Sequence, residues 1–176
     1  NGAGMTRYLK DLKPTTIHDI NAMVSLYRPG PMQFIPLYIE RKHNQKLITY
    51  FDPAFEKILA QTYGVLVYQD DLLIIARELA GYSWKEVDKF RKAVGKKIPK
   101  EMEVQKEKLL KGLEKNGMDK LKAETLWKLI EPFAAYGFNK CLTGDTTVVD
   151  MATGMNTTLE SLYKKNTPRV RVHSLN

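Results

Sequence analysis

The residue pattern of this chain changes at one position, between Lys140 and Cys141. Before it, apolar residues recur at the three- and four-residue spacing of amphipathic helices, interrupted by glycine and proline. After it, short segments rich in threonine and valine predict strands, and tryptophan and phenylalanine no longer occur. The sequence therefore predicts two units, an all-helical one at 1–140 and a short β-rich one at 141–176.

Capping residues predict several helix boundaries in the first unit. Thr16 can cap one helix, and Ser83 with Glu86 has the pattern of a capping box at the start of another, which should end at Gly95. Pro132 should end the last helix. The helix after Thr16 carries on one face Ile17, Ile20, Val24 and Tyr27. Further helices are predicted at about 5–12, 36–42, 53–59, 68–79, 99–116 and 119–131.

In the second unit the period changes to that of strands. Residues 146–151 and 168–173 are predicted strands, and a turn is expected at 152–154. Thr157 and Glu160 have the spacing of a second capping box, which predicts a short helix after them. His173 is expected to be an ordinary strand residue.

Basic residues outnumber acidic ones by 28 to 20, which gives a net charge of +8 and suggests a polyanionic partner. The densest basic segment is Lys89–Lys100, where six of twelve residues are basic and none is acidic. Such a segment at a helix end presents several cations to one point, as phosphate binding requires. The alternative is a solvated helix face. Phe90 and Val94 favour the first interpretation because they should anchor the basic helix to a core.

Other features bound the class of protein. No apolar run approaches the roughly 20 residues of a membrane span, so we expect no membrane partner. A single cysteine excludes an internal disulfide and suits the reducing cytoplasm, and without a Cys/His cluster zinc is not expected. Trp84 and Trp127 are expected in the core. Because the sequence starts at Asn1 without a methionine, we expect it to be part of a longer polypeptide.

Cys141 is followed by Leu-Thr-Gly-Asp-Thr and the predicted strand. This series resembles the start of an intein, a self-splicing protein insert whose first residue is commonly cysteine. The resemblance implies that the Cys141 thiol attacks the carbonyl of Lys140 and converts a peptide bond into a thioester. Asp145 and Thr146 would support the turn around the cysteine. The alternatives are that Cys141 is a small buried residue and that Asp145 only caps a turn.

Five segments of the first unit form a second pattern. In chain order they are Arg28–Met32 (RPGPM), Ile39–His43 (IERKH), Thr62–Asp70 (TYGVLVYQD), Arg91–Lys97 (RKAVGKK) and Tyr136–Lys140 (YGFNK). In this order and spacing they resemble the fingers region of the bacterial replicative DNA polymerase III alpha subunit, a C-family polymerase. The resemblance covers residues 1–140 and implies helical fingers.

The polymerase resemblance implies DNA-templated nucleotidyl transfer, with DNA, deoxynucleoside triphosphates and other replisome subunits as partners. In the family, Mg²⁺ is held by aspartates of the palm, upstream of this region, so no metal site is expected here. Arg91 and Lys92, supported by Lys96 and Lys97, would contact the triphosphate or the template backbone. This chain has Arg-Lys at 91–92 where the family commonly has two arginines, and Gln-Asp at 69–70 where Gln-Glu is usual. Adjacent Asp70 and Asp71 would diverge on a helix and make a poor metal pair.

The two resemblances meet at the Lys140–Cys141 peptide bond. After Gly-Phe-Asn-Lys the polymerase family continues with Ser-His, whereas this chain continues with Cys141. Residues 141–176 lack the downstream histidine, the terminal His-Asn and the second nucleophile of an intein, and form only the start of its Hint-type β fold. The remainder would follow in the same polypeptide or belong to a separate C-terminal half.

We therefore expect the parent protein to splice first, without a cofactor, and then to polymerise. The fragment alone should do neither. Two other interpretations remain open at this point. One is a basic helical DNA-binding module with a non-functional β tail, which predicts salt-dependent DNA binding and no role for Cys141. The other is a structural protein with solubilising lysines, which predicts no DNA binding at moderate salt.

Overall fold

The computed structural model describes residues 2–96, 99–134, 140, 146–150, 156–164 and 172–174. Among these the α-helices are α1 Ala3–Leu12, α2 Ile17–Leu26, α3 Ile35–His43, α4 Glu56–Leu59, α5 Gln69–Glu78, α6 Trp84–Lys96, α7 Pro99–Lys115, α8 Lys120–Ala134 and α9 Leu159–Lys164. The strands are β1 Thr147–Asp150, β2 Asn156–Thr158 and β3 Val172–Ser174. Short 3₁₀ turns occupy Pro31–Phe34, Gln45–Leu47, Pro53–Phe55 and Ala60–Thr62. The prediction of a mainly helical fold is confirmed.

Local hydrogen bonds explain where two of these helices begin. At α2 the Thr16 hydroxyl accepts the Asp19 N–H, and the Asp19 carboxylate accepts the Thr16 N–H at 3.2 Å, which completes a capping box. At α6 the Glu86 carboxylate accepts both the N–H and the hydroxyl of Ser83 at 2.7 Å. Both caps satisfy backbone donors that a helix start leaves unpaired, as the sequence predicted.

Two predicted helix ends are wrong by a short distance. Helix α6 continues past Gly95 to Lys96. Helix α8 continues past Pro132 to Ala134, although the proline has no N–H for the carbonyl four residues before it. A proline in the last turn removes one hydrogen bond and still leaves room for two further helical residues.

The helical unit encloses two apolar clusters. The larger one joins α4 to α8 and includes Phe55, Ile75, Tyr82, Phe90, Leu109, Trp127 and Ile130. The smaller one joins α1, α2 and α3 to the segment 65–68 and includes Leu12, Met23, Leu26, Ile35, Tyr38 and Val67. Phe90 and Val94 are at most 1% exposed, which confirms that the basic helix α6 is anchored to a core.

The smaller cluster contains a buried carboxylate. Asp19 is 1% exposed and forms an ion pair with Lys42 at 3.5 Å, while its other oxygen accepts the Tyr63 hydroxyl at 3.3 Å. Burial opposes ionisation, but hydrogen bonds from Thr15 and Thr16 and the charge of Lys42 outweigh it, so the pKa of Asp19 is lowered. The Asp19 carboxylate therefore links α2 to α3 through Lys42, and to the 60–64 turn through Tyr63.

Some apolar residues of the helical unit lie on the surface. Ile17 and Ile20 of α2 are 51% and 40% exposed, so the apolar face noted in the sequence is not the face that α2 buries. Trp84 is 59% exposed and lies against Arg77, whose guanidinium is 5.4 Å from the ring centre, so its expected place in the core was wrong. Trp127 is buried as expected.

The β unit contains a small antiparallel sheet in the order β2–β1–β3. Thr147 pairs with Thr158, and Val149 pairs with His173, so His173 is a strand residue as expected. The cap of α9 is one residue later than predicted, because the Thr158 hydroxyl accepts the Ser161 N–H at 3.2 Å. The predicted turn at 152–154 lies outside the described residues.

The chain divides into two compact units, Asn1–Lys140 and Cys141–Asn176. This division coincides with the change of residue pattern in the sequence. No helix in the described part of the chain is long and apolar enough to cross a membrane.

Candidate functional site

Arg91 and Lys92 lie on the exposed side of α6 and share one carboxylate. Arg91 Nη2 is 2.8 Å from Asp88 Oδ1, and Lys92 Nζ is 2.6 Å from Asp88 Oδ2. The side chains of Arg91 and Lys92 are 52% and 57% exposed. Hydrogen bonds from Lys92 and then Arg91 lower the pKa of Asp88. Because exposed ion pairs are weak, a stronger polyanion can replace Asp88 as the partner of both cations.

An open cavity of about 670 Å³ lies beside this pair, lined by residues of α6 and α7. Its basic lining residues are Lys89, Lys92 and Lys100, and Glu101 is the acidic one. Lys89 and Lys100 belong to the basic segment noted in the sequence but were not selected as site residues. Their proximity depends on how α6 and α7 pack together, which local sequence does not encode.

The other two predicted phosphate contacts are Lys96 and Lys97. Lys96 is the last residue of α6, and its side chain is outside the described part of the structure. Lys97 lies outside the described residues altogether. Of the four predicted phosphate contacts, Arg91 and Lys92 are therefore the two whose side chains lie in the described part of the structure.

Lys140, at the end of the helical unit, is held by three residues that precede it by 70 or more positions. Its backbone N–H donates to Asp70 Oδ2 at 2.9 Å. Its Nζ donates to Gln61 Oε1 at 2.6 Å and lies 5.9 Å from the centre of the Tyr68 ring. We name Gln61, Tyr68 and Asp70 the Lys140 platform. These contacts join two of the five sequence segments, Thr62–Asp70 and Tyr136–Lys140.

Residues 1–117 match the protein family described as the bacterial DNA polymerase III alpha subunit finger domain. The chain belongs to this family. Proteins named DNA polymerase III subunit alpha from Xylella fastidiosa (strain Temecula1), Treponema pallidum and Thermus aquaticus are each 46% identical to it, over 138, 137 and 142 residues. Each match covers 78% of this chain and 12% of the relative's length. The similarity therefore concerns a small part of those polymerase subunits.

The adjacent carboxylates Asp70 and Asp71 both accept backbone N–H groups. Among the described residues there is no group of three or more His, Cys, Asp or Glu side chains that could hold a metal ion. Asp71 is 7% exposed and its Oδ2 accepts the N–H groups of Val67 and Tyr68 at 3.2 and 2.9 Å. Asp70 binds the Lys140 N–H. Each carboxylate thus holds a stretch of backbone in place.

Burial makes Asp71 an unusual carboxyl group. Desolvation raises its pKa to about 6, although hydrogen bonds from the N–H groups of Tyr68 and Val67 act in the opposite direction. Asp71 lies in the first turn of α5, and its bonds to the preceding backbone fix the segment that carries Tyr68.

The predicted splicing residues are only partly described. Cys141 and Asp145 lie outside the described residues, so their predicted roles stay predictions. Thr146 directly precedes β1, and its carbonyl accepts the Leu159 N–H at 3.1 Å. Thr146 thereby connects the start of the sheet to α9 within the β unit.

Proposed function

We propose that this chain is part of the fingers of a replicative DNA polymerase that carries the start of an intein. The parent protein would catalyse DNA-templated addition of deoxynucleoside triphosphates. Family membership over residues 1–117 is the observation that carries the polymerase half. The parent's Mg²⁺ would be bound by residues outside the described part of this chain, and its other partners would be replisome subunits in the cytoplasm.

Within the polymerase, α6 would bind phosphate through Arg91 and Lys92, with Lys96 and Lys97 in support. Cations near a transferring phosphoryl group act by positioning it and by neutralising its developing charge. The buried side chains of Phe90 and Val94 hold the helix backbone, so the two cations are presented from a fixed support. Loss of the Asp88 pair costs little, because that pair is exposed to solvent.

Salt-dependent binding to a primer–template duplex tests the phosphate contacts. The double variant Arg91→Ala/Lys92→Ala should weaken binding and reduce the slope of log K against log salt by up to about two, roughly one per lost contact. Lys111→Ala is the matched control, because Lys111 is an exposed α7 lysine that also has a helical ion pair, with Glu107. Equal effects of the two changes would contradict the assignment.

Two further outcomes separate the alternatives. Salt-dependent binding by this chain, combined with a full-length parent that incorporates no nucleotides, would favour a DNA-binding module without an enzymatic parent. No binding at moderate salt would favour the structural interpretation, in which the lysines are only solubilising.

For the β unit we propose the first step of protein splicing. Cys141 Sγ would attack the Lys140 carbonyl carbon, form a C–S bond and break the C–N bond, while the released amine takes up the thiol proton. Asp145 and Thr146 would support the turn around the cysteine, and the complete insert would adopt a Hint-type β fold. The proposal is supported by the residue pattern after Cys141 and by the division of the chain at the same peptide bond.

Trapping the thioester tests this step. The reading frame that encodes this chain is expressed in full, or with its separate C-terminal half, and the precursor is treated with hydroxylamine. Cleavage after Lys140 in the wild type, and none in Cys141→Ala, is the expected result. Cleavage that is unaffected by Cys141→Ala, or absent from both proteins, would overturn the splicing proposal.

A further inference from the structure

The residue that would lie on the acyl side of the scissile bond is anchored within the helical unit. Lys140 donates through its backbone N–H to Asp70 and through Nζ to Gln61, and its ammonium group lies over the Tyr68 ring. Lys140 thus has one backbone contact and two side-chain contacts. Together they restrain both the position of the residue and the rotation of its backbone about the N–Cα bond. Because the N, Cα and Cβ atoms are restrained, the carbonyl carbon bonded to Cα has a limited range of positions.

The Lys140 platform is itself held in place. Asp71 accepts the N–H groups of Val67 and Tyr68, which fixes the backbone that enters α5. Arg41 Nη1 donates to the carbonyls of Thr49 and Tyr63, both at 3.1 Å, and so ties the 60–64 turn to the segment before it.

Glycine is required in that turn. Gly64 has φ +75°, and an added Cβ would lie 2.7 Å from the Thr49 carbonyl oxygen. The turn therefore packs directly against the backbone of the 44–50 segment. Side-chain hydrogen bonds therefore hold the backbone beside the platform at both ends, from Asp71 on one side and from Arg41 on the other.

We propose that Gln61 and Asp70 are positioning residues for the first splicing step, so that the folded finger domain holds the Lys140 carbonyl carbon in place for attack by Cys141. This inference rests on the proposed splicing function. The contacts involve the Lys140 N–H and Nζ, neither of which changes when the peptide bond becomes a thioester. They consequently act on the position of the reacting carbon, and not on the equilibrium between amide and thioester.

The anchor also links splicing to folding of the host protein. An unfolded finger domain has no platform, so its Lys140 carbonyl carbon samples many positions. Attack by Cys141 should therefore be fastest after residues 1–140 have folded around Lys140.

The experiment measures the rate of hydroxylamine cleavage after Lys140 in the complete precursor. Gln61→Ala/Asp70→Ala should slow cleavage about 10-fold, because a misplaced reacting group loses part of its orientational advantage. The single variant Asp70→Asn retains Gln61 and keeps an acceptor oxygen at position 70. It should therefore cleave faster than the double variant. The matched controls are Gln33→Ala and Glu56→Ala, which remove an exposed glutamine and an exposed acid of the first turn of α4. Both should cleave at the wild-type rate.

A second measurement tests the hydrogen bond between the Lys140 N–H and Asp70 separately from its effect on cleavage. In the Cys141→Ala precursor, where no thioester forms, hydrogen exchange of the Lys140 amide should be slow and should accelerate in Asp70→Ala. Thermal melting of each variant shows whether the helical unit has remained folded.

The outcomes distinguish this inference from the function on which it rests. A wild-type precursor without cleavage overturns the splicing proposal and the positioning role together. A wild-type precursor that cleaves, with folded platform variants that cleave equally fast, overturns the positioning role alone. Slow cleavage in the Gln33 or Glu56 control would also contradict it, since the effect would not be specific to the platform.

Discussion

The helical unit and the β unit differ in how much apolar surface they bury. The helical unit encloses two clusters that include large side chains such as Tyr38, Tyr82 and Phe90. In the described part of the β unit, Val148 is 1% exposed, whereas Tyr163 is 87% exposed. Burial of apolar area is the main favourable term in folding. The helical unit therefore has a core of its own, whereas Val148 is the one buried apolar side chain among the β-unit residues whose burial is described.

The largest effect should come from the core of the helical unit. Phe90→Ala should lower the free energy of unfolding by about 3–5 kcal/mol, because it leaves a cavity beside Tyr82, whose ring centre is 5.9 Å away. Denaturant unfolding followed by circular dichroism measures it. Tyr163→Ala in the β unit is the control and should leave that transition unchanged. A small effect of Phe90→Ala would show that the helical core is not the source of stability.

The buried carboxyl group of Asp71 should make the stability of the helical unit depend on pH. Its folded pKa of about 6 lies above the ordinary aspartate value of 3.8, so the native state binds its proton more tightly than the unfolded chain. Its contribution is complete below about pH 4 and is lost as pH rises through about 6, by about 3 kcal/mol at most.

Asp71→Asn should remove this part of the pH dependence, which is measured as the free energy of unfolding between pH 4 and 7. The Asn side chain keeps an acceptor oxygen for the N–H groups of Val67 and Tyr68. An identical pH profile for the variant and the wild type would contradict the raised pKa of Asp71.

Exposed apolar residues of α2 should matter little to the stability of the isolated chain. Ile20→Lys is expected to change the free energy of unfolding by no more than about 0.5 kcal/mol, since Ile20 is 40% exposed. Met23→Ala, on the buried side of the same helix, should cost about 2–5 kcal/mol. The comparison is read from chemical denaturation. Equal losses would mean that α2 buries a different face.

The smallest effect on stability should come from removing the residues after Lys140. A chain that ends at Lys140 should unfold with the same midpoint as residues 1–176, because the helical unit contains its own clusters. Thermal melting measures the midpoint. A clear drop after truncation would show that residues 141–176 contribute to the stability of the helical unit.

Features encoded by neighbouring residues could be predicted from the sequence. The caps at Thr16 and Ser83 depend on side chains three residues apart, and the structure contains both. The cap of α9 was placed one residue early because Thr157 and Thr158 are chemically equivalent candidates. Helices α6 and α8 extend beyond their predicted ends at Gly95 and Pro132. One weak helix former in the last turn does not end a helix whose other residues pack against a core.

Features that depend on tertiary packing could not be predicted. Periodicity identifies an apolar face of α2 but does not reveal that Asp19 and Met23 are buried while Ile17 is exposed. Arg91 and Lys92 could be selected from their charge, yet the cavity that Lys92 shares with Lys100 requires α7 to pack beside α6. The contacts of Lys140 with Gln61 and Asp70 span 79 and 70 positions, beyond the reach of local patterns.

The most direct test of the account is the mass of the mature protein. The complete reading frame is expressed, and the product is analysed by intact-mass and peptide mass spectrometry. We expect a polymerase in which Lys140 is joined to the sequence that follows the insert, together with a separate insert that begins at Cys141. The Cys141→Ala protein should remain unspliced. A wild-type mature protein in which Lys140 is still followed by Cys141 would contradict protein splicing at this bond.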